Sequence, residues 1–205
     1  SFTFLSILSL SLTVYSKTIL ISDIDDTIKR TNVNSLLSAG ASVLNTYGRF
    51  TGLSEIYQEI KKNDPAIQIY YISGAPELVM EQKHSDFLAH GKFPTGSLVL
   101  RQDFLESTLQ FKINEITQIV NREKPSNLIL VGDNGELDSQ VYSTVQSQFP
   151  RIKISTFIHV VASLREKPLS RNQTAYAYGA ELAYHLGVAG YLSPTSANQL
   201  MIQIN

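Results

Sequence analysis

Cysteine is absent from the 205 residues, which excludes disulfides, thiolate zinc sites and cysteine nucleophiles. It leaves the compartment open, since reducing and oxidising environments both tolerate a chain without thiols. An excess of one charge is lacking too: 17 Lys and Arg stand against 18 Asp and Glu, for a net charge of -1. No stretch is strongly basic, so a phosphate-tracking nucleic-acid surface loses support. Repeats, linkers and low-complexity segments are also lacking. Apolar residues make up 43%, with 10 tyrosines and 9 phenylalanines. Such a chain can bury a real core, and its length suits one domain rather than two.

Long hydrophobic runs are scarce. Residues 1–15, SFTFLSILSLSLTVY, carry no charge and only Ser and Thr among their apolar residues. The length suits the apolar part of a secretory signal peptide and falls short of a transmembrane span. Val14 and Ser16 supply small residues before a cleavage point near Lys17. This reading makes 1–16 a signal-peptide remnant and the protein periplasmic or secreted. The alternative is a buried strand or helix of a cytoplasmic protein. Nothing later is long and apolar enough to span a bilayer.

From Lys17 onward, short apolar runs alternate with amphipathic stretches. Thr18–Ile21, Ile67–Ile72, Ser97–Leu100, Leu128–Val131 and Ile152–Ile158 are β-branched and apolar on both faces, as strands between helix layers must be. Leu109, Ile113, Ile116 and Val120 mark one face of a helix. Pro76 opens a second helix ending near His90-Gly91. Ala175–Leu186 reads as a final helix, and its Tyr176, Tyr178 and Tyr184 are expected in the core, with an interface as the alternative. The alternation predicts a single α/β domain over 17–205 with a mostly parallel sheet. Residues 29–64 form the one long excursion, expected to carry two helices and to act as at most a small cap.

In open parallel sheets ligands bind outside the carboxyl ends of the strands. After the first run comes Ser22-Asp23-Ile24-Asp25-Asp26-Thr27; after the second, Ser73-Gly74; after the fourth, Gly132-Asp133-Asn134-Gly135-Glu136-Leu137-Asp138. Five aspartates thus reach one edge. Crowded carboxylates repel one another and need a cation to stay ionised together. Oxygen ligands without His or Cys favour Mg²⁺, and Mg²⁺ sites commonly act on phosphate. Singly, each piece reads as an ordinary turn, and Lys112 as a solvated charge. The combination, at successive strand ends, carries the argument.

The set resembles the haloacid-dehalogenase (HAD) superfamily phosphatases. Asp23-Ile24-Asp25-Asp26-Thr27 looks like their nucleophile motif, Ser73 their second motif, Lys112 their third, and Gly132-Asp133 through Asp138 their acidic fourth. DIDDTIK, YISGAPELV, FPTGSLVLR and LVGDNGELDSQVY are similar to the catalytic domain of actin-patch phosphatidate phosphatases, distant relatives of lipins. The likeness runs from Thr18 to about Pro150. One departure stands out: Phe157-Ile158-His159 occupies the place where an Arg is expected after the fifth strand.

The resemblance implies a Rossmannoid three-layer fold and a set of roles. Asp23 would attack phosphorus to form an aspartyl-phosphate, and Asp25 would serve as acid and then base. Ser73, Gly74 and Lys112 would hold the phosphoryl group. Asp23, the backbone carbonyl of Asp25, and Asp133 would hold Mg²⁺, with Asp138 in support. Asp26 is left to turn chemistry or support. The substrate implied is phosphatidate or a related lipid phosphate, with soluble inositol or sugar phosphates as the alternative. A phosphotransferase and a catalytically inactive binding module are the competing classes. No nucleic-acid partner is implied, and oligomeric state is left open.

Overall fold

The computed structural model describes residues 16–30, 48–103 and 105–204. Residues 1–15, read above as an export segment, lie outside the described residues, as does 31–47 of the 29–64 excursion.

The strands are β1 (Thr18–Asp23), β2 (Gln68–Pro76), β3 (Ser97–Arg101), β4 (Asn127–Asp133), β5 (Lys153–His159) and β6 (Gln173–Tyr176). They form one sheet in the order β3-β2-β1-β4-β5-β6, with every pair parallel. The helices are α1 (Leu53–Asn63), α2 (Glu77–His90), α3 (Thr108–Glu123), α4 (Asp138–Gln148), α5 (Gly179–Val188) and α6 (Pro194–Ile204).

Side-chain alternation divides the interior in two. On β1, Leu20 joins the core built with Leu53, Tyr57, Phe87, Leu182 and Leu200 of α1, α2, α5 and α6. Ile19 and Ile21 join the core built with Phe111, Ile116, Val141 and Tyr142 of α3 and α4. All three β1 residues are fully buried, which is why the strand reads as a continuous apolar run. The chain winds from β1 outward to β3, then crosses back to β4 and on toward β6. Right-handed crossovers in opposite directions place helices on opposite faces. The winding reverses between β1 and β4, and that reversal opens a crevice at their carboxyl ends.

Two expectations need correction. The helix expected over Ala175–Leu186 starts later, because Ala175 and Tyr176 belong to β6 and α5 begins at Gly179; nor is it final, since α6 follows. β6 is a four-residue edge strand with only Tyr176 buried, too short and too exposed to show a period. Helix α6 has a local start signal, with Ser193 Oγ accepting from Ser196 N at 3.0 Å ahead of Pro194 at the first helical position. The tyrosines divide as well: Tyr176 is in the core, whereas Tyr178 and Tyr184 are exposed. Within the 29–64 excursion, residues 53–63 are α1, which buries Leu53, Ile56, Tyr57 and Ile60.

Candidate active site

Asp23 ends β1 at the reversal, buried to within 3% of its surface. Its backbone carbonyl accepts from Ser22 Oγ at 2.7 Å, and Tyr57 OH donates to Ser22 Oγ at 2.9 Å. Lys112, buried on α3, donates to Asp23 Oδ1 at 2.7 Å and to Asp138 Oδ1 at 2.6 Å. Asp23 Oδ2 is buried and has no hydrogen-bond partner among the described residues. One oxygen of this carboxylate is therefore held, and the other is available.

Asp133 ends β4, beside Asp23. Its Oδ1 accepts from Gly135 N at 2.6 Å and Glu136 N at 3.1 Å, which is how an Asp fixes a tight turn. Thr27 Oγ1 donates to its Oδ2 at 3.2 Å. Asp138 opens α4 and is fully buried, its Oδ2 accepting from Asp133 N at 3.2 Å. Gly132 makes this approach possible, since a Cβ there would fall 2.6 Å from Asp138 Oδ2. Carboxylate oxygens of Asp23, Asp133 and Asp138 lie within 4.8 Å of one another, a span that one cation can bridge.

Asp25 stands in the turn after β1. Its Oδ2 accepts from Ser73 Oγ at 2.9 Å and lies 3.4 Å from His84 Nε2, while Oδ1 is 4.0 Å from Lys29 Nζ. Ile24, between the two acids, is fully buried. Asp26 takes left-handed backbone, φ 59°, which a short polar side chain tolerates, and its amide donates to the Lys29 carbonyl at 2.8 Å. His159 braces this turn, its ring nitrogens 3.0 Å from the Asp26 carbonyl and 3.2 Å from that of Ala177, with the ring stacked on Tyr176.

The charge balance is acidic: Asp23, Asp25, Asp133, Asp138 and Glu136 face the ammonium groups of Lys112 and Lys29. Burial raises the Asp23 carboxyl well above its usual range against the pull of Lys112, and the neighbouring acids add to the rise. Burial, then Asp138, pushes Asp133 up to about 7. Burial alone would lower Lys112, but Asp138, Asp23 and Glu136 outweigh it and hold the ammonium well above its usual value. Burial lowers His84 in spite of Asp25. Protein cations therefore do not fully compensate these acids, which is the electrostatic condition a bound divalent cation relieves.

The fold thus brings together every residue singled out from the sequence. Asp23, Asp133, Asp138 and Lys112 form one buried unit. Asp25 and Ser73 form a second beside it, and Gly74 follows Ser73, packed against the Thr108 side chain. The carboxylate of Asp25 is not among the three clustered acids. Ser73 Oγ donates to Asp25, and its oxygen accepts from Ala75 N at 3.1 Å.

Sequence reasoning missed Lys29, His84, Thr27 and Asn134. Thr27 and Lys29 lie inside or just after the motif they serve, so proximity was an available signal. His84 is a lone histidine on a helix, without any local mark of its place beside Asp25. Asn134 has a purely tertiary role. Its Oδ1 accepts from Val161 N and Ala162 N, both at 2.9 Å, and its Nδ2 donates to Ala162 O at 2.8 Å. It ties the loop after β5 to the acidic motif.

The family described as phosphatidate phosphatase APP1, catalytic domain, matches residues 18–159, a span that holds Asp23, Asp25, Ser73, Lys112, Asp133 and Asp138. Phosphatidate phosphatase APP1 of Saccharomyces cerevisiae is 27% identical over 149 residues, covering 68% of this chain and 25% of that protein. A Schizosaccharomyces pombe protein described as uncharacterized protein C29B5.04c is 27% identical over 156 residues, covering 70% of this chain and 25% of that protein. The chain therefore spans about a quarter of the length of these curated relatives. Among solved structures, a chain of the Pnkp1/Rnl/Hen1 RNA repair complex superposes with a TM-score of 0.48 at 14% identity, over 77% of this chain and 49% of that one. With the family matched across well over half its length, this chain belongs to the APP1 phosphatidate phosphatase catalytic-domain family.

Proposed function

We propose that this chain is a Mg²⁺-dependent phosphomonoester phosphatase working through an aspartyl-phosphate, with phosphatidate or a related lipid phosphate as its leading substrate. One observation carries the reading: Asp23 has one oxygen fixed by Lys112 and the other buried with no hydrogen-bond partner among the described residues. That is the arrangement a nucleophilic carboxylate needs. Asp23 Oδ2 attacks phosphorus as the bond to the leaving oxygen breaks. Asp25 gives its proton to that oxygen, then takes one from the water that cleaves the acyl phosphate. Lys112 balances the negative charge gathering on the phosphoryl oxygens, and Ser73 and the Gly74 turn lie where the phosphate would be oriented.

The donor set fits Mg²⁺. All the side-chain donors are oxygens, carboxylate oxygens of three buried aspartates cluster within 4.8 Å, and the acids exceed the cations around them. Asp23, the Asp25 carbonyl and Asp133 would hold the ion, with Asp138 supporting through Lys112 and the Asp133 amide. Bound there, it would supply the positive charge that lets an anionic nucleophile meet an anionic phosphate. The lipid assignment is drawn from the yeast relative's description as a phosphatidate phosphatase.

Phosphate release from p-nitrophenyl phosphate, with Mg²⁺ and with EDTA, tests the chemistry. Release that needs the cation and disappears in Asp23→Asn is expected. Absence of release under every condition would make the chain a binding module. A competition panel of phosphatidate against inositol and sugar phosphates then tests the substrate class, and preference for the soluble esters would overturn the lipid assignment.

A further inference from the structure

Exposed apolar side chains are not scattered evenly over the described residues. Leu78 and Val79 open α2 just after β2, Leu105 follows β3, Leu137 follows β4, Val161 and Leu164 follow β5, and Tyr178 follows β6. Leu78 and Leu105 are 88% and 95% exposed. Because every strand pair is parallel, all these positions lie on the carboxyl edge, the edge that holds the active site. The other large exposed apolar residues among those described are Tyr184 and Val188 on α5 and Ile202 on α6, so seven of the ten follow the carboxyl ends of strands. Apolar exposure concentrated on one face marks an interaction surface.

Charge suggests the partner. The loop 160–172 between β5 and β6 carries Val161 and Leu164 together with exposed Arg165, Lys167 and Arg171, against Glu166 alone. Arg30 is exposed nearby and lines a cavity of about 420 Å³ with Tyr178 and His159. Other acids of this sector are engaged: Glu181 accepts from Ala177 N at 2.6 Å, and Glu136 lies 3.8 Å from Lys112. Asn134 clamps the loop against the acidic motif, and Lys167 Nζ donates to the Gly135 carbonyl. The loop is therefore a braced arm bordering the catalytic crevice. On the β2–β3 side the same edge carries Glu77, Asp103 and Glu106, so an anionic surface would meet the β5–β6 side first.

We infer that the carboxyl edge, anchored by the 160–172 loop, docks on an anionic lipid bilayer. Leu164, Val161 and Tyr178 would enter the headgroup region while Arg30, Arg165 and Arg171 meet lipid phosphates and carboxylates. The inference rests on the proposed phosphatase activity only for what the bilayer would deliver to Asp23. Docking itself can be measured without turnover.

The test is co-sedimentation of the 205-residue chain with phosphatidylcholine vesicles, alone or mixed with phosphatidylserine, an anionic lipid with no phosphomonoester. Binding that requires phosphatidylserine and weakens with salt is expected. Val161→Ser with Leu164→Ser should lower the affinity about tenfold or more, from the apolar area lost. Arg165→Ala with Arg171→Ala should lower it about 30-fold at low salt, from roughly a fivefold effect per charge. Val188→Ser, on the other edge, should leave it unchanged. All three variants should keep wild-type turnover of p-nitrophenyl phosphate and wild-type melting temperature. Wild-type turnover without vesicle binding would overturn the docking face and leave the phosphatase reading intact; vesicle binding without turnover would do the reverse. Equal binding by wild type and loop variants would overturn it, as would loss of soluble turnover in those variants. A dimer in sedimentation that Leu164→Ser dissolves would give the face to a second copy instead.

Discussion

Lys112 Nζ donates to Asp23 Oδ1 at 2.7 Å, across 89 positions of sequence, and the same ammonium reaches Asp138 Oδ1 at 2.6 Å. One buried cation thus joins the end of β1 to the start of α4, and the second Asp23 oxygen has no hydrogen-bond partner among the described residues. The bridge is structural and electrostatic at once.

Removing the cation should therefore affect folding as well as turnover. Lys112→Met leaves two buried carboxylates uncompensated, and breaking a buried pair this way costs about 3–5 kcal/mol. Urea unfolding of the cation-free protein should register that loss. Lys112→Arg keeps the charge but brings a planar fork in place of a compact ammonium. It should recover most of the stability and little of the turnover. Unchanged stability in Lys112→Met would mean that the observed contacts do not carry the bridge.

Gly132 offers a subtler perturbation. A methyl group there would lie 2.6 Å from Asp138 Oδ2 and 2.8 Å from its Cγ, so Gly132→Ala must displace the carboxylate. The displaced group gives up its contact with Asp133 N and its hold on Lys112. Overpacking of this kind costs about 1–3 kcal/mol. A fall in kcat with the fold retained is expected, read by steady-state kinetics beside circular dichroism. Wild-type kcat would mean that Asp138 has no part in aligning Lys112.

The pH dependence follows from Asp133, whose carboxyl is pushed up to about 7 by burial and by Asp138. Unfolded, it titrates near the ordinary Asp value of about 3.9. Between those values the native state binds the proton and the unfolded state does not, so this group's contribution to stability falls as pH rises from about 4 to about 7. Melting temperatures in EDTA should therefore decline over that window. Added Mg²⁺ must displace the same proton, so the stabilisation it gives should grow from pH 5 to pH 8. A melting temperature in EDTA that climbs steadily to pH 8, or a Mg²⁺ effect independent of pH, would contradict this account.

How far the sequence carried these conclusions depended on whether the signal was local. Strands β1, β2 and β4 were legible because burial on both faces leaves continuous apolar runs such as Thr18–Ile21 and Leu128–Val131, and β3 and β5, less buried, because Ser97–Leu100 and Ile152–Ile158 still form apolar runs. β6 was not, because Gln173-Thr174-Ala175 is half-buried at a sheet edge and, unlike β3, has no apolar run to mark it. Asp23, Asp133 and Asp138 were legible because each sits in a short motif directly after a strand. Lys112 was recognisable only through the family resemblance, since nothing around it on α3 marks it as buried. His84 and Asn134 act through contacts 59 and 27 or more positions away in the chain, to Asp25 and to the 160–172 loop. No local pattern encodes such contacts.

Asp25 supports the sharpest test of mechanism. Its Oδ2 is held by Ser73 Oγ at 2.9 Å and lies beside His84 Nε2 at 3.4 Å, while Oδ1 is buried 4.0 Å from Lys29 Nζ without a hydrogen bond among the described residues. Asp23→Asn should abolish turnover of every phosphomonoester, because no substrate bypasses a missing nucleophile. Asp25→Asn should discriminate by leaving group. An alkoxide needs a proton as it departs, so loss of the acid should cost about 10²–10⁴-fold. A nitrophenolate leaves without that help, and its phosphorylation step should suffer much less. Asp25 is also the base for the second half-reaction, so hydrolysis of the phosphoenzyme should slow for all substrates. Rapid mixing of Asp25→Asn with p-nitrophenyl phosphate should then show a burst of nitrophenol and a slow steady state, with almost no burst from an alkyl phosphate. Equal pre-steady-state losses for both leaving groups would remove Asp25 as the acid and direct attention to Asp26.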